Sequence, residues 1–198
     1  MDKRFTQRMR WQHRDARWRP SIAALPCRPP VWVRELIAVK GSLTAQLERF
    51  GNVEVTLLWQ GMARPSADEA LALGEDPRRW VWLREVILNC TAGQRIYARS
   101  VMPRLMPGPW ASVTRLGAQP LGRLIFAAPD ARRGPLAVAR LQGEEPLAWR
   151  LYRYGEDAVP GAWARRSTLM AGRQSILVTE VFLAASCREV AEGELASR

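Results

Sequence analysis

Six segments of the chain have the hydrophobic pattern of β-strands, either alternating apolar and polar residues or a short apolar run rich in β-branched side chains. They cover residues 53–59, 80–90, 95–102, 147–154, 162–170 and 174–183. Ala92-Gly93 joins the second segment to the third, and Ala171-Gly172-Arg173 joins the last two. Connections of this length join antiparallel neighbours, so we predict two β-hairpins.

Helical signals occur between these strands, at residues 32–37, 43–50, 110–116 and 121–126. Ser42 is suited to cap the second helix, Gly51 to end it, and Pro120 to open the last one. Residues 63–79 predict a polar loop or short helix. Residues 127–145, rich in Pro, Gly, Arg and Ala without clear periodicity, predict a surface excursion. Strands outnumber helices and short turns connect them, which favours an α+β fold with helices packed on an antiparallel sheet.

Charged residues occupy strand positions where the alternation predicts the protein interior. Ile176, Val178, Glu180 and Phe182 share one side of a strand, and three of them are strongly apolar. A carboxylate at such a position is either paired with a cation or available to a ligand. Four arginines also lie within strand-like segments: Arg84, Arg99, Arg165 and Arg166. Together these residues predict an enclosed polar pocket for a small, doubly anionic molecule.

Each of these charged positions also has a structural interpretation. Arg84 and Glu180 are compatible with an ion pair between strands that binds no ligand. Because Arg165 and Arg166 are adjacent, alternation directs them to opposite faces of the sheet, and at least one of them is expected to face solvent. Arg99 is equally compatible with a surface position on its strand.

The net charge of +11 is concentrated near the amino terminus. Residues 1–20 contain seven Lys and Arg against two Asp, with Trp11 and Trp18 among them. Aromatic rings among basic residues suit nucleic-acid bases or a membrane surface, and a weak association of this segment with a membrane surface stays open. No helix-turn-helix, zinc-finger or RNA-recognition motif accompanies the charge, so we expect no specific nucleic-acid partner.

Composition also predicts how the chain is divided. We expect a basic, flexible arm over residues 1–30, one domain over residues 31–186, and a polar carboxyl-terminal tail over residues 187–198. A single domain of this size can bury enough surface to fold without metal or disulfide.

Several kinds of chemistry lack their sequence signals. His13 is the only histidine and lies in the arm, which excludes Ser-His-Asp and Cys-His arrangements. The three cysteines are widely separated, so neither a disulfide framework nor a metal cluster is expected. Phosphate-loop and dinucleotide-binding glycine motifs are missing, and we predict no cofactor. No apolar run is long enough for a membrane helix or a secretory signal, so we expect a cytoplasmic protein.

Five strings in the chain stand out by their order and spacing: WLREVILN (82–89), ARSVMP (98–103), LGAQPLGRLIF (116–126), WARRS (163–167) and LVTEVFL (177–183). In order and separation they resemble the chorismate lyase (chorismate pyruvate-lyase) family. The resemblance covers roughly residues 31–186. Two features depart from the family pattern: the arm before residue 31, and a longer segment between Phe126 and Trp163.

This resemblance implies a single antiparallel sheet of about six strands, with helices and helical flaps that enclose an internal ligand site. It also implies a cofactor-independent lyase that eliminates pyruvate from chorismate to give 4-hydroxybenzoate, in the first committed step toward ubiquinone. The matching site positions are Arg84 and the backbone N–H of Leu121 for the ring carboxylate, Glu180 for the opposite end of the ring, and Leu43 in the lid. We expect Arg84 and Glu180 to act in catalysis by fixing the ring. A second arginine for the departing pyruvate is expected among Arg99, Arg165 and Arg166.

A function of another class is compatible with the same fold. Ligand-sensing domains of some bacterial transcription regulators share it, and such a domain binds a small effector without turning it over. Those proteins carry a winged-helix domain before the sensor, and the arm of 30 residues is too short for one. Chorismate is therefore the expected small-molecule partner, and we expect a monomer.

Overall fold

A computed structural model describes residues 15–103, 108, 110–156 and 159–183. Its strands are β1 (Val53–Ala63), β2 (Val81–Cys90), β3 (Arg95–Met102), β4 (Arg132–Arg133), β5 (Ala137–Arg140), β6 (Trp163–Ala171) and β7 (Gln174–Leu183). Within the described residues these seven strands form one antiparallel sheet in the order β1-β2-β3-β7-β6-β4, and β5 also pairs with β6. The expected α+β class with a single antiparallel sheet is confirmed.

Helices cover both faces of this sheet. They are α1 (Val31–Ile37), α2 (Leu43–Leu47), α3 (Ala67–Leu73), α4 (Leu121–Phe126) and α5 (Pro146–Arg153), with 3-10 turns at Ile22–Ala24 and Ala111–Arg115. Hydrophobic contacts place α1, α2 and α4 on one face and α3 and α5 on the other. Because both faces are covered, the central strands β2, β3 and β7 are buried along most of their length.

Strand register decides which polar side chains share a face. Glu180 of β7 lies opposite Ala98 of β3 and Arg165 of β6, and Arg84 of β2 lies opposite Ser100 of β3. Residues directly opposite each other in antiparallel strands point to the same side. Arg84, Arg165 and Glu180 therefore all point toward the face that carries α1, α2 and α4.

Both predicted hairpins are present, and two helix starts agree with their sequence signals. The hairpin of β2 and β3 has Asn89 opposite Arg95, and that of β6 and β7 closes with Ala171 opposite Gln174. The Ser42 side chain caps α2 by accepting from the backbone N–H of the third helical residue at 3.2 Å. The helix α4 has the bounds that the sequence predicted, directly after a proline.

The prediction of a strand over residues 147–154 was wrong, because this segment forms the helix α5. Apolar residues separated by polar ones in so short a stretch fit the helical repeat as well as strand alternation. Ala148 and Leu151, three positions apart, are both buried against the sheet. Their spacing is that of one helical turn.

The prediction of a surface excursion over residues 127–145 was also wrong. This segment contains β4 and β5, which both pair with β6. Val138, Ala139 and Leu141 are buried in the core. Strands of two and four residues are too short to show a hydrophobic period, so the sequence pattern missed them.

Part of the segment that sequence analysis included in the arm contacts the domain. Arg19 exchanges two backbone hydrogen bonds with Val138, at 2.7 and 2.8 Å. The indole Nε1 of Trp18 donates to the carboxylate of Asp68 in α3 at 3.0 Å. In the described residues, packing against the sheet thus begins before residue 31.

Other predictions concern residues outside the described ranges. These residues include 1–14 of the arm and the tail at 187–198, with His13 and Cys187. Of the helices that the structure does describe, none has the length and apolar character needed to cross a membrane.

Candidate functional site

An internal cavity lies between the sheet and the helices α2 and α4. The space free of protein atoms in it and at its opening, solvent included, is about 500 Å³. Much of its wall is apolar, with contributions from Val55, Val86, Leu88, Ile125 and Val178. Three charged side chains also line it: Arg84, Arg133 and Glu180. The fold therefore contains a mainly apolar cavity, partly open to solvent, with fixed charges in its wall.

Arg84 reaches the cavity from β2 and is only 2% exposed. Its Nε and Nη2 donate to the carbonyl oxygen of Gly117 at 3.1 and 2.8 Å, and Nη2 also donates to that of Gln119 at 2.7 Å. A guanidinium has five N–H donors, so the two on Nη1 are unused within the described residues. Burial lowers the pKa of Arg84 to about 10, because the charged form loses its hydration. A negatively charged ligand would compensate this loss.

The start of α4 lies beside the residues that Arg84 holds. Pro120 precedes the helix, and no side chain caps its first turn. The first N–H groups of a helix have no partner within it, and the positive end of the helix dipole lies there. Leu121 and Gly122, the first two helical residues, line the cavity. This geometry is compatible with the expected contact between an anion and the backbone N–H of Leu121.

Glu180 lies on the same face of the sheet as Arg84, two strands away. Its Oε2 accepts from Arg165 Nε at 2.5 Å, whereas Oε1 makes no hydrogen bond with a described residue. Arg165 is fully buried, and its Nη1 donates to three backbone carbonyls at the carboxyl end of α1, at 2.7 to 3.1 Å. Arg165, which does not line the cavity, therefore holds Glu180 through Oε2. The other carboxylate oxygen, Oε1, stays available at the cavity.

The short helix α2 covers the cavity as a lid. Leu43 and Thr44 from this helix line the cavity, and Leu43 is buried. Ser42, the capping residue of α2, sits directly against Gly122 of α4. A Cβ placed on Gly122 would lie 2.3 Å from the Ser42 hydroxyl oxygen. The lid and α4 thus meet at a contact that has no room for a side chain.

Arg99 and Arg166 lie on the opposite face of the sheet and do not line the cavity. Thr179 is opposite Arg99 on one side and opposite Arg166 on the other, one position away from Glu180. Alternation therefore turns both arginines away from Glu180. Each is held by a carboxylate from α3. The prediction that Arg99 or Arg166 contributes to this pocket was therefore wrong.

Arg99 belongs to a buried charge network between the sheet and α3. Its guanidinium donates to Glu69 at 2.5 and 3.0 Å and to Glu85 at 2.5 Å. The hydroxyls of Tyr97 and Tyr154 also donate to Glu85. Burial acts to raise the pKa of both carboxyl groups. Arg99 acts against burial, together with the backbone of Ser66 for Glu69 and the hydroxyls of Tyr154 and Tyr97 for Glu85, so the pKa of each lies below its ordinary value. The charges and hydrogen-bonding groups of this network are paired with one another, which indicates a structural role.

Arg133 lines the cavity, although sequence analysis did not select it. It belongs to the two-residue strand β4 and is half-buried. Its Nε and Nη2 donate to the carbonyl oxygens of Lys40 and Gly41 at 3.1 and 3.2 Å, and its Nη1 donates to the hydroxyl of Ser167. Burial lowers the pKa of Arg133, while the negative charge of Glu180 acts in the opposite direction. Glu180 is thus close enough to influence it.

The wall of the cavity has more positive than negative charge. Glu180 and Arg165 compensate each other in their ion pair. Arg84 and Arg133 donate only to carbonyls and a hydroxyl, and no described carboxylate pairs with either. Two guanidinium charges are therefore left uncompensated. Such a wall suits a small molecule with two negative charges.

Residues of the metal-binding types are not grouped in the described part of the chain. No cluster there of three or more His, Cys, Asp or Glu side chains is arranged to hold a metal ion. The carboxylate at the cavity, Glu180, is engaged by Arg165.

Sequence comparison assigns the chain to a family. The chorismate lyase family model matches residues 9–189, and the chain belongs to this family. A probable chorismate pyruvate-lyase of Halorhodospira halophila is 51% identical over 172 residues, which cover 87% of this chain and 92% of the relative. A second protein of that name, from Chromohalobacter salexigens, is 40% identical over 183 residues, covering 91% and 93%.

Structural comparison shows the same fold in a protein of another kind. The effector domain of PhnF from Mycobacterium smegmatis has a TM-score of 0.51 to this chain at 16% sequence identity. The match covers 73% of this chain and 90% of that domain. At this identity the likeness concerns the fold alone.

Proposed function

We propose that this protein is a chorismate pyruvate-lyase that eliminates pyruvate from chorismate and leaves 4-hydroxybenzoate. The observation that carries the proposal is the cavity, with two uncompensated guanidinium groups and one open carboxylate oxygen in a mainly apolar wall. Chorismate has two carboxylates, one on the ring and one on the enolpyruvyl side chain. The charges of substrate and cavity are therefore complementary, and membership of the chorismate lyase family supports the reaction class.

In the proposed complex, the ring carboxylate lies between Arg84 and the start of α4. Arg84 donates from the two N–H groups of Nη1, and the backbone N–H of Leu121 donates from the first turn of the helix. Glu180 accepts the hydrogen bond of the ring hydroxyl through Oε1. The two residues lie on strands separated by β3, about 10 Å apart between strand axes. This spacing suits a six-membered ring with substituents at opposite ends, covered by Leu43 of the lid.

The elimination requires little covalent assistance from the protein. The bond between the ring carbon and the ether oxygen breaks, and the neighbouring ring carbon that carries the hydroxyl loses its hydrogen. The departing enolpyruvate takes up that proton at its methylene carbon and becomes pyruvate, so atoms and electrons balance without an oxidant. Aromatisation of the ring makes the step favourable. The protein contributes by holding the enolpyruvyl group over that hydrogen in a dry chamber.

We further infer that neither a metal nor an organic cofactor takes part, since proton transfer within the bound substrate completes the reaction. The product 4-hydroxybenzoate is an aromatic precursor of ubiquinone, and we place the reaction at the first committed step of that route, in the cytoplasm. Loss of the protein in its own cell should then be rescued by added 4-hydroxybenzoate. Failure of that rescue would argue against this place in metabolism.

The deciding experiment is to incubate purified protein with chorismate in the presence of a metal chelator. Pyruvate and the aromatic product are then quantified by chromatography. We expect pyruvate and 4-hydroxybenzoate in equal amounts, with much less of both from the Arg84→Ala variant. Formation of 3-hydroxybenzoate, or no turnover, would overturn the assignment. Tight binding of chorismate without turnover would instead favour an effector-binding function.

A further inference from the structure

We propose that Arg133 binds the second carboxylate of the dianionic substrate, the one on the three-carbon group that leaves. This inference rests on the proposed function, because it assigns the part of the site that Arg84 and Glu180 leave open. It also replaces the arginines that sequence analysis considered for this role. Arg99 and Arg166 lie on the wrong face, and Arg165 lies behind Glu180.

The hydrogen bonds of Arg133 leave it able to bind an anion. It uses one N–H each for Lys40, Gly41 and Ser167. Two of the five guanidinium donors are therefore unused within the described residues, one on each terminal nitrogen. Its neutral partners leave the positive charge uncompensated. A carboxylate would satisfy both the charge and the free donors.

Arg133 and Arg84 differ in depth, which orients the substrate. Arg84 is almost fully buried, whereas Arg133 lines the same cavity and is half-buried. A ring carboxylate at Arg84 thus places the enolpyruvyl carboxylate toward Arg133 and the solvent. The three-carbon product can then leave from the outer end of the cavity while the aromatic product is still in place.

Arg133 also connects this carboxylate to the lid. Lys40 and Gly41, whose carbonyls it binds, directly precede Ser42 and the helix α2. A carboxylate bound to Arg133 restrains the same guanidinium that holds the start of the lid. The dianionic substrate should therefore favour the closed lid more than a product with one carboxylate does.

The test compares Arg133→Met with Arg132→Met, since Arg132 is the exposed neighbour in the same strand. For each variant we would measure kcat/KM for chorismate and the Kd of 4-hydroxybenzoate, which lacks the second carboxylate. We expect Arg133→Met to lower kcat/KM roughly tenfold to hundredfold, the effect of losing a charge-assisted hydrogen bond. The Kd of 4-hydroxybenzoate should change far less. Arg132→Met should leave both values unchanged.

The variant Arg133→Lys retains the charge without the forked donors and should give an intermediate loss for chorismate. It also serves as the test if Arg133→Met fails to fold. Equal losses for chorismate and 4-hydroxybenzoate would show that Arg133 only supports the lid, and would overturn the inference. So would an unchanged kcat/KM.

This outcome is separate from that of the proposed function. If the unmodified protein binds chorismate without turning it over, the proposed function fails, and the Kd of chorismate replaces kcat/KM in the same comparison. A selective loss of chorismate affinity in Arg133→Met would still support the role of Arg133. If chorismate does not bind at all, both proposals are overturned.

Discussion

Arg84 and Glu180 are both buried, yet each keeps a donor or acceptor atom that makes no hydrogen bond with the described residues. A buried polar group without a partner costs about 1 to 3 kcal/mol, and a charged one costs more. Arg84 is anchored through Gly117 and Gln119 so that only Nη1 is open, and Glu180 is anchored through Arg165 so that only Oε1 is open. These contacts on one side hold the open donors of Arg84 and the open oxygen of Glu180 in fixed directions. A purely structural ion pair would instead join the two side chains to each other.

The substitution Arg84→Ala should weaken binding of 4-hydroxybenzoate by about a hundredfold, since it removes two hydrogen bonds to the ring carboxylate. Turnover of chorismate should fall at least as much. Equilibrium titration and steady-state kinetics measure the two effects. Arg115→Ala, at an exposed position close in sequence to the same loop, serves as the control and should behave like the unmodified protein. An unchanged Kd would remove Arg84 from the site.

The substitution Glu180→Gln should preserve the fold at reduced stability, because glutamine has the same shape and can still accept from Arg165 but no longer compensates its buried charge. We expect kcat to fall by about tenfold or more, since the amide oxygen is used by Arg165 and the NH2 group that then faces the cavity cannot accept the hydrogen bond of the ring hydroxyl. Circular dichroism checks the fold, and single-turnover kinetics checks the chemical step. Identical single-turnover rates in the two proteins would contradict a role for Glu180 in the reaction.

The lid is a helix of five residues, too short to be stable by itself. Its position depends on its contacts: Ser42 packs on Gly122 of α4, Leu43 is buried over the cavity, and Arg133 holds the two carbonyls before it. A short helix held by a few side contacts can open at modest cost in free energy. The lid is therefore suited to admit substrate and to release product.

The substitution Gly122→Ala tests this contact. Alanine is a better helix former than glycine, so α4 itself should be stabilised slightly. The added methyl group, however, would lie 2.3 Å from the Ser42 hydroxyl and should displace the lid. We expect faster release of 4-hydroxybenzoate and a higher KM for chorismate, measured by stopped-flow dissociation and steady-state kinetics.

The matched control is Gly41→Ala, at the start of the lid, where an added Cβ would meet no atom within 4 Å. Its product release should equal that of the unmodified protein. If both alanine variants release product at the unmodified rate, the contact between Ser42 and Gly122 does not hold the lid.

The two faces of the sheet have different roles, ligand binding on one and stability on the other. One face carries the cavity under α2 and α4, whereas the other carries the network of Arg99, Glu69 and Glu85 under α3. Residues on alternating positions of the same strands serve one face or the other: Glu180 belongs to the cavity, and its neighbour Thr179 to the opposite side. Stability and ligand binding should therefore respond to different substitutions.

The substitution Arg99→Met should reduce the free energy of unfolding by about 3 to 5 kcal/mol at neutral pH, because it removes the main cation from two buried carboxylates. Among the described residues, Glu85 then keeps only the longer ion pair with Arg150, at 3.7 Å. Urea denaturation measures this loss. The pKa values of Glu69 and Glu85 lie below their ordinary value of 4.5 in the folded protein, so the network stabilises the fold above that pH. Its contribution disappears as the pH falls through the lowered values, and the difference between variant and unmodified protein should shrink there.

Two controls accompany this measurement. Arg78→Ala removes an exposed ion pair with Asp76 and should change the unfolding midpoint little. The folded fraction of Arg99→Met should also keep its KM for chorismate, since Arg99 lies outside the cavity. A raised KM with unchanged stability would contradict the assignment of ligand binding to one face of the sheet and stability to the other.

The site was predictable from the sequence where it depends on local pattern. Strand alternation identified Glu180 as an interior acid, and the resemblance to the chorismate lyase family selected Arg84, Leu121 and Leu43, all of which line the cavity. Arg133 was not predictable in this way. Its strand has two residues, and only pairing with a distant strand, β6, brings it to the cavity.

The sequence by itself determined the hairpins, the class of the fold and the burial of charge on its strands, because alternation and turn residues act between neighbours in the chain. It left open which face of the sheet became the site. Only the tertiary structure decided that, since it depends on where α2, α3 and α4 pack. The same packing turned Arg99 and Arg166 into structural cations and made Arg133 part of the cavity wall.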